Sequence, residues 1–182
     1  MQEEIIFSGF GGQGALFAGQ LLAYAALNEG KYVTWIPSYG PEMRGGTAHC
    51  IVVVSDEEIG SPIVRHPTSA VVLNNPSMDK YEPLVKSGGV LVVNRSLIVK
   101  PASRQDITVV NVPANELAIE IGSAKMSNVV LLGALLETTK AVSLDAVTRA
   151  LDEHLSAKAR KLLDANKQAL QKGAEVARIQ FE

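Results

Sequence analysis

The sequence predicts an α/β protein with three layers, α/β/α: a mostly parallel sheet between helices, followed by a helical C-terminal part. Three observations lead there. An apolar N-terminal strand runs into a glycine-rich turn and then a helix. Short β-branched runs alternate with helical or loop stretches as far as Pro113. Beyond Pro113 the apolar residues recur at helical spacing. The chain has 182 residues, no internal repeat and no linker-like stretch, so it is read as one domain, residues 1–182.

Ile5 to Gly9 is short, apolar and partly β-branched, the pattern of a buried strand. Gly9-Phe10-Gly11-Gly12-Gln13-Gly14 makes the turn, and Ala15 to Glu29 a helix whose apolar residues are too dense for a solvent-facing surface. Gly30 suits a left-handed helix end, Tyr32 to Ile36 forms the next strand, and Pro37 stops it. Strand, glycine turn, helix and strand together open a Rossmann-like parallel sheet with a right-handed crossover. Thr47 to Ser55 reads as a further strand, and residues 56–67 as irregular. Strands follow at 70–73, 90–93 and 107–110, with a short helix at 77–87 that contains Pro83 and a Gly88-Gly89 turn behind it. Helices are expected at 114–121, closed by Gly122, and at 129–139, capped by Ser127. Two more follow: one capped by Ser143 with Leu144, Val147, Leu151 and Leu155 as its stripe, and one at 159–178.

Composition narrows the function classes. Lys and Arg total 17 against 19 Asp and Glu, a formal charge of -2, which offers no electrostatic reason for nucleic acid or an anionic membrane as partner. The N-terminus enters a strand without a basic leader, and no apolar run approaches bilayer length, so a cytoplasmic protein is expected. Cys50 is the single cysteine, which rules out an internal disulfide and a four-thiolate iron–sulfur cluster.

Gly9, Gly11 and Gly14 satisfy G-x-G-x-x-G between a strand and a helix. Such glycines permit a sharp turn, close approach of a ligand to the amides, and tight packing of helix on strand. A dinucleotide site also needs an Asp or Glu at the end of the second strand, and Trp35-Ile36-Pro37-Ser38 holds none. Two readings stay open: glycines that only shape a turn, or an anion or partner contact at Gly11, Gly12, Gln13 and Gly14.

The ten residues from Pro37 to Gly46 form the more unusual segment. Tyr39, Gly40, Glu42, Met43, Arg44, Gly45 and Gly46 put a ring, an acid, a thioether and a guanidinium among turn formers at the edge where α/β sheets seat ligands. Either Glu42 and Arg44 pair within a covering loop, or Arg44 offers its fork to a carboxylate, phosphate or partner acid. His49 and Cys50 follow on a strand without activating neighbours; His66 lies in a loop; His154 falls on a helix and is expected to be solvated. No metal-ligand spacing and no nucleophile–base motif appears, so no catalytic residue and no metal ligand is assigned.

Gly9–Gly14 followed by a helix, and the run from Pro37 to Ala48, together resemble the gamma subunit of 2-oxoacid:ferredoxin oxidoreductases, the gamma-domain family of pyruvate ferredoxin/flavodoxin oxidoreductase. Ser61-Pro62, Asn74-Asn75-Pro76 and Val93-Asn94-Arg95-Ser96 fit the same pattern, and the loop as written is most similar to the 2-oxoglutarate branch. The resemblance implies a complex that oxidatively decarboxylates a 2-oxoacid to an acyl-coenzyme A and reduces ferredoxin. It implies thiamine diphosphate, magnesium and [4Fe-4S] clusters held by alpha, beta or delta subunits, with this chain inactive alone. It further implies an interface role, with Gly11, Gly12, Gln13, Gly14 and Arg44 as contacts for coenzyme A or a partner. An isolated chain would expose an apolar interface, with a homodimer as one form open to it. The competing expectation is a free-standing Rossmann-type nucleotide- or dinucleotide-binding enzyme.

Overall fold

The computed structural model describes residues 1–38 and 47–181. Its six strands are β1 (Gln2–Phe10), β2 (Tyr32–Ser38), β3 (Thr47–Ser55), β4 (Ser69–Val72), β5 (Val90–Asn94) and β6 (Thr108–Val112). The helices are α1 (Ala15–Asn28), α2 (Asn75–Tyr81), α3 (Ala114–Glu120), α4 (Ser127–Thr139), α5 (Leu144–His154) and α6 (Leu163–Ile179). The strands form one sheet in the order β2-β3-β1-β4-β5-β6.

β1, β4, β5 and β6 run parallel, whereas β3 is antiparallel to both its neighbours, β1 and β2. The mostly parallel sheet is therefore correct, and so is the β1–α1–β2 opening, since β2 runs parallel to β1, but the two strands are not neighbours. β3 inserts between the two strands that α1 connects, and it does so antiparallel. Pro37 does not stop β2, which continues to Ser38. The strand lies at the sheet edge, where a residue without an N–H is tolerated.

Alternation along the central strands divides the core. Ile5, Phe7, Cys50, Val52, Val71, Leu73, Val92 and Val110 meet α1, α4, α5 and α6 in the larger core. Ile6, Ala70, Val72, Leu91 and Val93 meet Met78, Tyr81, Val85 and Ile98 in the smaller one. The layers are unequal: among the described residues one face carries most of the helices, the other α2 and a 3₁₀ turn at Glu82–Leu84. That short turn, containing Pro83, replaces the second half of the helix expected at 77–87.

Glycine sets two helix positions. A Cβ at Gly19 would strike the Cys50 sulfur, so α1 lies directly on β3. A Cβ at Gly133 would strike the Leu170 carbonyl oxygen, and one at Gly173 that of Val130, so α4 and α6 cross backbone against backbone. Ser143 caps α5 as expected, accepting from the Ala146 N–H at 3.1 Å. Ser127 does not cap α4; it lies in the first turn behind a 3₁₀ turn at Ala124–Met126. A 3₁₀ turn at Arg160–Leu162 likewise precedes α6, and His154 is exposed as expected, with its ring also stacked on Tyr24 at 3.7 Å.

Candidate functional site

β1 and β4 are parallel neighbours, with Ser8 opposite Val72 at their carboxyl ends. The chain leaves β1 into α1 on one face and leaves β4 toward α2 on the other. Such a divergence opens a crevice at the strand ends, where α/β sheets seat ligands. Here Gln13 and Asn74 meet in it.

The glycine loop is built around the Gln13 side chain. Gln13 N–H donates to the Phe10 carbonyl at 3.1 Å and closes a turn. Its side-chain Oε1 accepts from Phe10 N–H at 2.6 Å and from Asn74 Nδ2 at 3.2 Å. With the oxygen committed, the NH₂ is the half of the amide left to face an incoming group. Asn74 is itself fixed, because its Oδ1 accepts from Ser77 N–H at 2.9 Å and caps α2.

Glycine is required at several points of this loop. A Cβ at Gly9 would stand 2.7 Å from Gln13 Oε1 and 3.0 Å from Leu73 Cβ. Gly12 and Gly14 have φ of 96° and 79°, left-handed values costly for other residues. Gly14 also touches α4: its carbonyl accepts from buried Asn128 Nδ2 at 3.0 Å, and an added Cβ would stand 2.5 Å from that nitrogen. The shape-forming role of the glycines is thus explained, and it leaves Gly12 exposed and α1 without a side-chain cap at its N-terminus. Uncapped amides and the dipole of a helix start favour a negatively charged group.

The neighbouring strand ends are lined with amides and hydroxyls. Asn94 Nδ2 donates to Asn115 Oδ1 at 3.0 Å, and Asn115 N–H donates to Ser96 Oγ at 2.9 Å. Ser96 Oγ also donates to Glu116, which holds that carboxyl below its usual range. Among the described residues no three His, Cys, Asp or Glu side chains gather to hold a metal ion. His49 faces Tyr81, with ring centroids 5.9 Å apart, and burial followed by the charge of Lys80 lowers its pKa. Burial pushes the Cys50 thiol up to about 12, which removes its thiolate at neutral pH. This rim can donate and accept hydrogen bonds and attract an anion; its described side chains do not form a nucleophile–base pair.

The expected residues Gly11, Gly12, Gln13 and Gly14 share the loop at the switch point. Tyr39, Gly40, Glu42, Met43, Arg44, Gly45 and Gly46 lie outside the described residues. Their flanks are described: β2 ends at Ser38, and β3 begins at Thr47, opposite Phe10. Both expected segments therefore leave the sheet at one edge. Sequence reasoning missed Asn74 and Asn128. Asn74 had a readable signal, an Asn two residues before a proline in a helix start; Asn128 had none, since its partner Gly14 is 114 positions away. The inserted β3 also bears on the dinucleotide reading. It moves the end of β2 two strand spacings, about 10 Å, from β1, so even an acid there would stand away from the glycine loop.

The pyruvate ferredoxin/flavodoxin oxidoreductase model matches residues 4–176. The chain belongs to this family. The ketoisovalerate oxidoreductase subunit VorA of Methanothermobacter thermautotrophicus is 38% identical over 175 residues, covering 96% of this chain and 36% of that protein. The 2-oxoglutarate synthase subunit KorC of Methanocaldococcus jannaschii is also 38% identical, over 181 residues, covering 98% of this chain and 95% of the relative. This chain thus spans about a third of the ketoisovalerate relatives and nearly all of the 2-oxoglutarate one. Among solved structures, the gamma subunit of a keto/oxoacid ferredoxin oxidoreductase from Geobacter sulfurreducens superposes with a TM-score of 0.84 at 32% identity, covering 97% of this chain and 99% of that one. Members of the pyruvate ferredoxin/flavodoxin oxidoreductase family thus carry this domain both as a separate chain and as part of a longer one. No helix among the described residues is long and apolar enough to cross a membrane.

Proposed function

We propose that this chain is the gamma-type subunit of a multi-subunit 2-oxoacid:ferredoxin oxidoreductase acting on 2-oxoglutarate. It supplies a docking surface and a coenzyme A contact, while the reacting groups lie in companion subunits. The complex converts the oxoacid and coenzyme A to an acyl-coenzyme A and carbon dioxide, and passes an electron pair to ferredoxin. The free-standing 2-oxoglutarate relative, matched over 95% of its length, supports the substrate.

One observation carries the division of labour. The strand-end rim presents glycine amides and the Gln13 NH₂, groups suited to a phosphate or carboxylate and unsuited to carbon–carbon cleavage. Thiamine diphosphate, magnesium and [4Fe-4S] clusters belong to the alpha, beta and delta chains in this reading. The single cysteine fits that assignment, because it is buried against α1 and a cluster needs several thiolates.

The experiment uses the assembled complex. Gly12→Val and Arg44→Ala should each raise the KM for coenzyme A by about tenfold, the loss of one charge-assisted contact, with less effect on kcat. Unchanged coenzyme A kinetics in both variants would discard the contact. The chain alone should show no oxoglutarate-dependent dye reduction and no saturable nicotinamide dinucleotide binding, and either activity would revive the free-standing alternative.

A further inference from the structure

At the end of the sheet opposite the glycine loop, the amino-terminal ends of β1, β4 and β5 border a cavity of about 370 Å³. Glu3 and Ser69 line it together with Thr138 and Thr139 from the end of α4 and Gly88 and Gly89 from the turn before β5. Strand alternation puts the Glu3 and Ser69 side chains on the face of Ile5, Phe7 and Val71, the face that α4 covers.

The donors around this cavity are spent. Lys86, which also lines it, gives its Nζ to Glu4 at 2.7 Å and its N–H to the Pro67 carbonyl at 2.9 Å. The N–H groups of Gly88, Gly89 and Val90 donate to the carbonyls of Asp106, Lys86 and Thr68 at 2.7, 2.9 and 2.9 Å. The Thr138 and Thr139 hydroxyls fold back onto the carbonyls of Ala134 and Leu135, each at 2.9 Å.

Acceptors are left over. Thr68 Oγ1 donates to Glu3 Oε2 at 2.7 Å, and among the described residues no Lys, Arg or His pairs with that carboxylate. Lys140 N–H takes the Leu136 carbonyl, so the carbonyls that follow in α4 have no intrahelical donor and mark the negative end of the helix dipole. No basic residue stands in that last turn, and Lys140, just beyond it, pairs with Glu137 at 3.0 Å. Ser69 is an independent sign of a ligand: it is 1% exposed, and its Oγ has no hydrogen-bond partner. Buried hydroxyls are ordinarily bonded.

We propose that this cavity binds a small cation of single charge, either a free ammonium or alkali-metal ion or the ammonium head of an alkylamine. One carboxylate balances one positive charge, and among the described residues no three His, Cys, Asp or Glu side chains gather to hold a divalent metal. Glu3 and the end of α4 supply the attraction, and the Ser69 hydroxyl supplies a lone pair on the floor. A bound cation also relieves the repulsion between the Glu3 carboxylate and the α4 carbonyls, so binding stabilises the fold. The cavity and the glycine loop lie at opposite ends of the strands, so neither site depends on the other.

NMR titration of the full chain at fixed ionic strength tests this, with ammonium, potassium and butylammonium chlorides against tetramethylammonium chloride, a cation without an N–H donor. Amide signals of residues 3, 69, 88 and 139 should shift and saturate with a binding cation and stay in place with tetramethylammonium. Saturation by ammonium and potassium alone identifies a free ion; saturation by butylammonium at a lower concentration identifies an amine head. Glu3→Gln and Ser69→Ala should each weaken the binding by about tenfold, the loss of a charge-assisted contact. Thermal melts in tetramethylammonium establish that both variants fold, and the wild-type titration does not depend on them. Shifts that never saturate, equal shifts with tetramethylammonium, or undiminished binding in folded Glu3→Gln would overturn the proposal.

Discussion

Asn74 Nδ2 donates to Gln13 Oε1 at 3.2 Å, joining loops 61 positions apart across the ends of β1 and β4. The crevice that the connections of those strands open is bridged by this amide pair. Because Asn74 also caps α2, the direction of the Gln13 amide is tied to the start of a helix on the far face.

Asn74→Ala should therefore do two things. It removes the cap, which costs about 1 kcal/mol, and it frees the Gln13 side chain. In a double-mutant cycle with Gln13→Ala, urea denaturation should show a coupling of about 0.5–1 kcal/mol. Strictly additive losses would mean that the hydrogen bond holds nothing in place.

The α4–α6 crossing makes a sharper prediction. Gly133→Ala and Gly173→Ala each drive a methyl group into a carbonyl oxygen of the facing helix. Alanine improves helix propensity by about 1 kcal/mol, but separating two packed backbones should outweigh it, for a net loss of about 2–3 kcal/mol. Thermal melts would show a lower Tm for both variants; a Tm equal to or above wild type would contradict the crossing.

Glu82 is buried beneath the β5–β6 connection. Its Oε1 accepts from Ser103 Oγ at 2.9 Å and from Arg104 N–H at 3.0 Å, as well as from Ser103 N–H. Burial is the largest single influence and pushes its pKa up, but the backbone and hydroxyl donors, with Lys100, together bring it below the usual carboxylate value. A lowered folded pKa means that the ionised group stabilises the fold above the unfolded pKa, and that this is lost as pH falls through the folded value. Glu82→Gln should thus be destabilised at neutral pH, by about 1–3 kcal/mol. Its deficit against wild type should shrink as pH falls below 4.5, the unperturbed value. A deficit that stays constant into acid would show that the charge of Glu82 is not what anchors the loop.

Cys50 gives a chemical readout of the same packing. With the thiol pushed up to about 12 and its side chain against the Ala15 carbonyl, it has neither thiolate nor access at pH 8. Iodoacetamide should label the chain in denaturant and leave the native protein unmodified on the same timescale. Rapid native labelling would place α1 elsewhere than on β3.

Much of this was legible locally. All six strands were recognisable, because short apolar β-branched runs bounded by Gly, Pro or Asn are local signals. The glycine turn stood out for the same reason, and Gly12 and Gly14 do adopt the left-handed conformations that call for glycine. The capping of α4 was misread, since Ser127 has the right chemistry but a 3₁₀ turn carries the chain past it. Of the candidate site, the Gly11–Gly14 half could be compared with its surroundings. The amides that fix it belong to other elements: Asn74 carried the mark of a helix cap but none of its pairing with Gln13, and Asn128 carried no mark at all.

The sequence by itself determined which segments extend, which coil, and where glycine must break the backbone, because those choices rest on periodicity and φ over a few residues. Only the tertiary structure decided that β3 enters antiparallel between β1 and β2, that Gln13 turns its oxygen inward to Asn74, and that α2 is the described helix on the second sheet face. A strand buried on both faces reads as the same apolar run whichever way its neighbours point. Its partners are chosen by long-range hydrogen bonding and packing, which local composition does not encode.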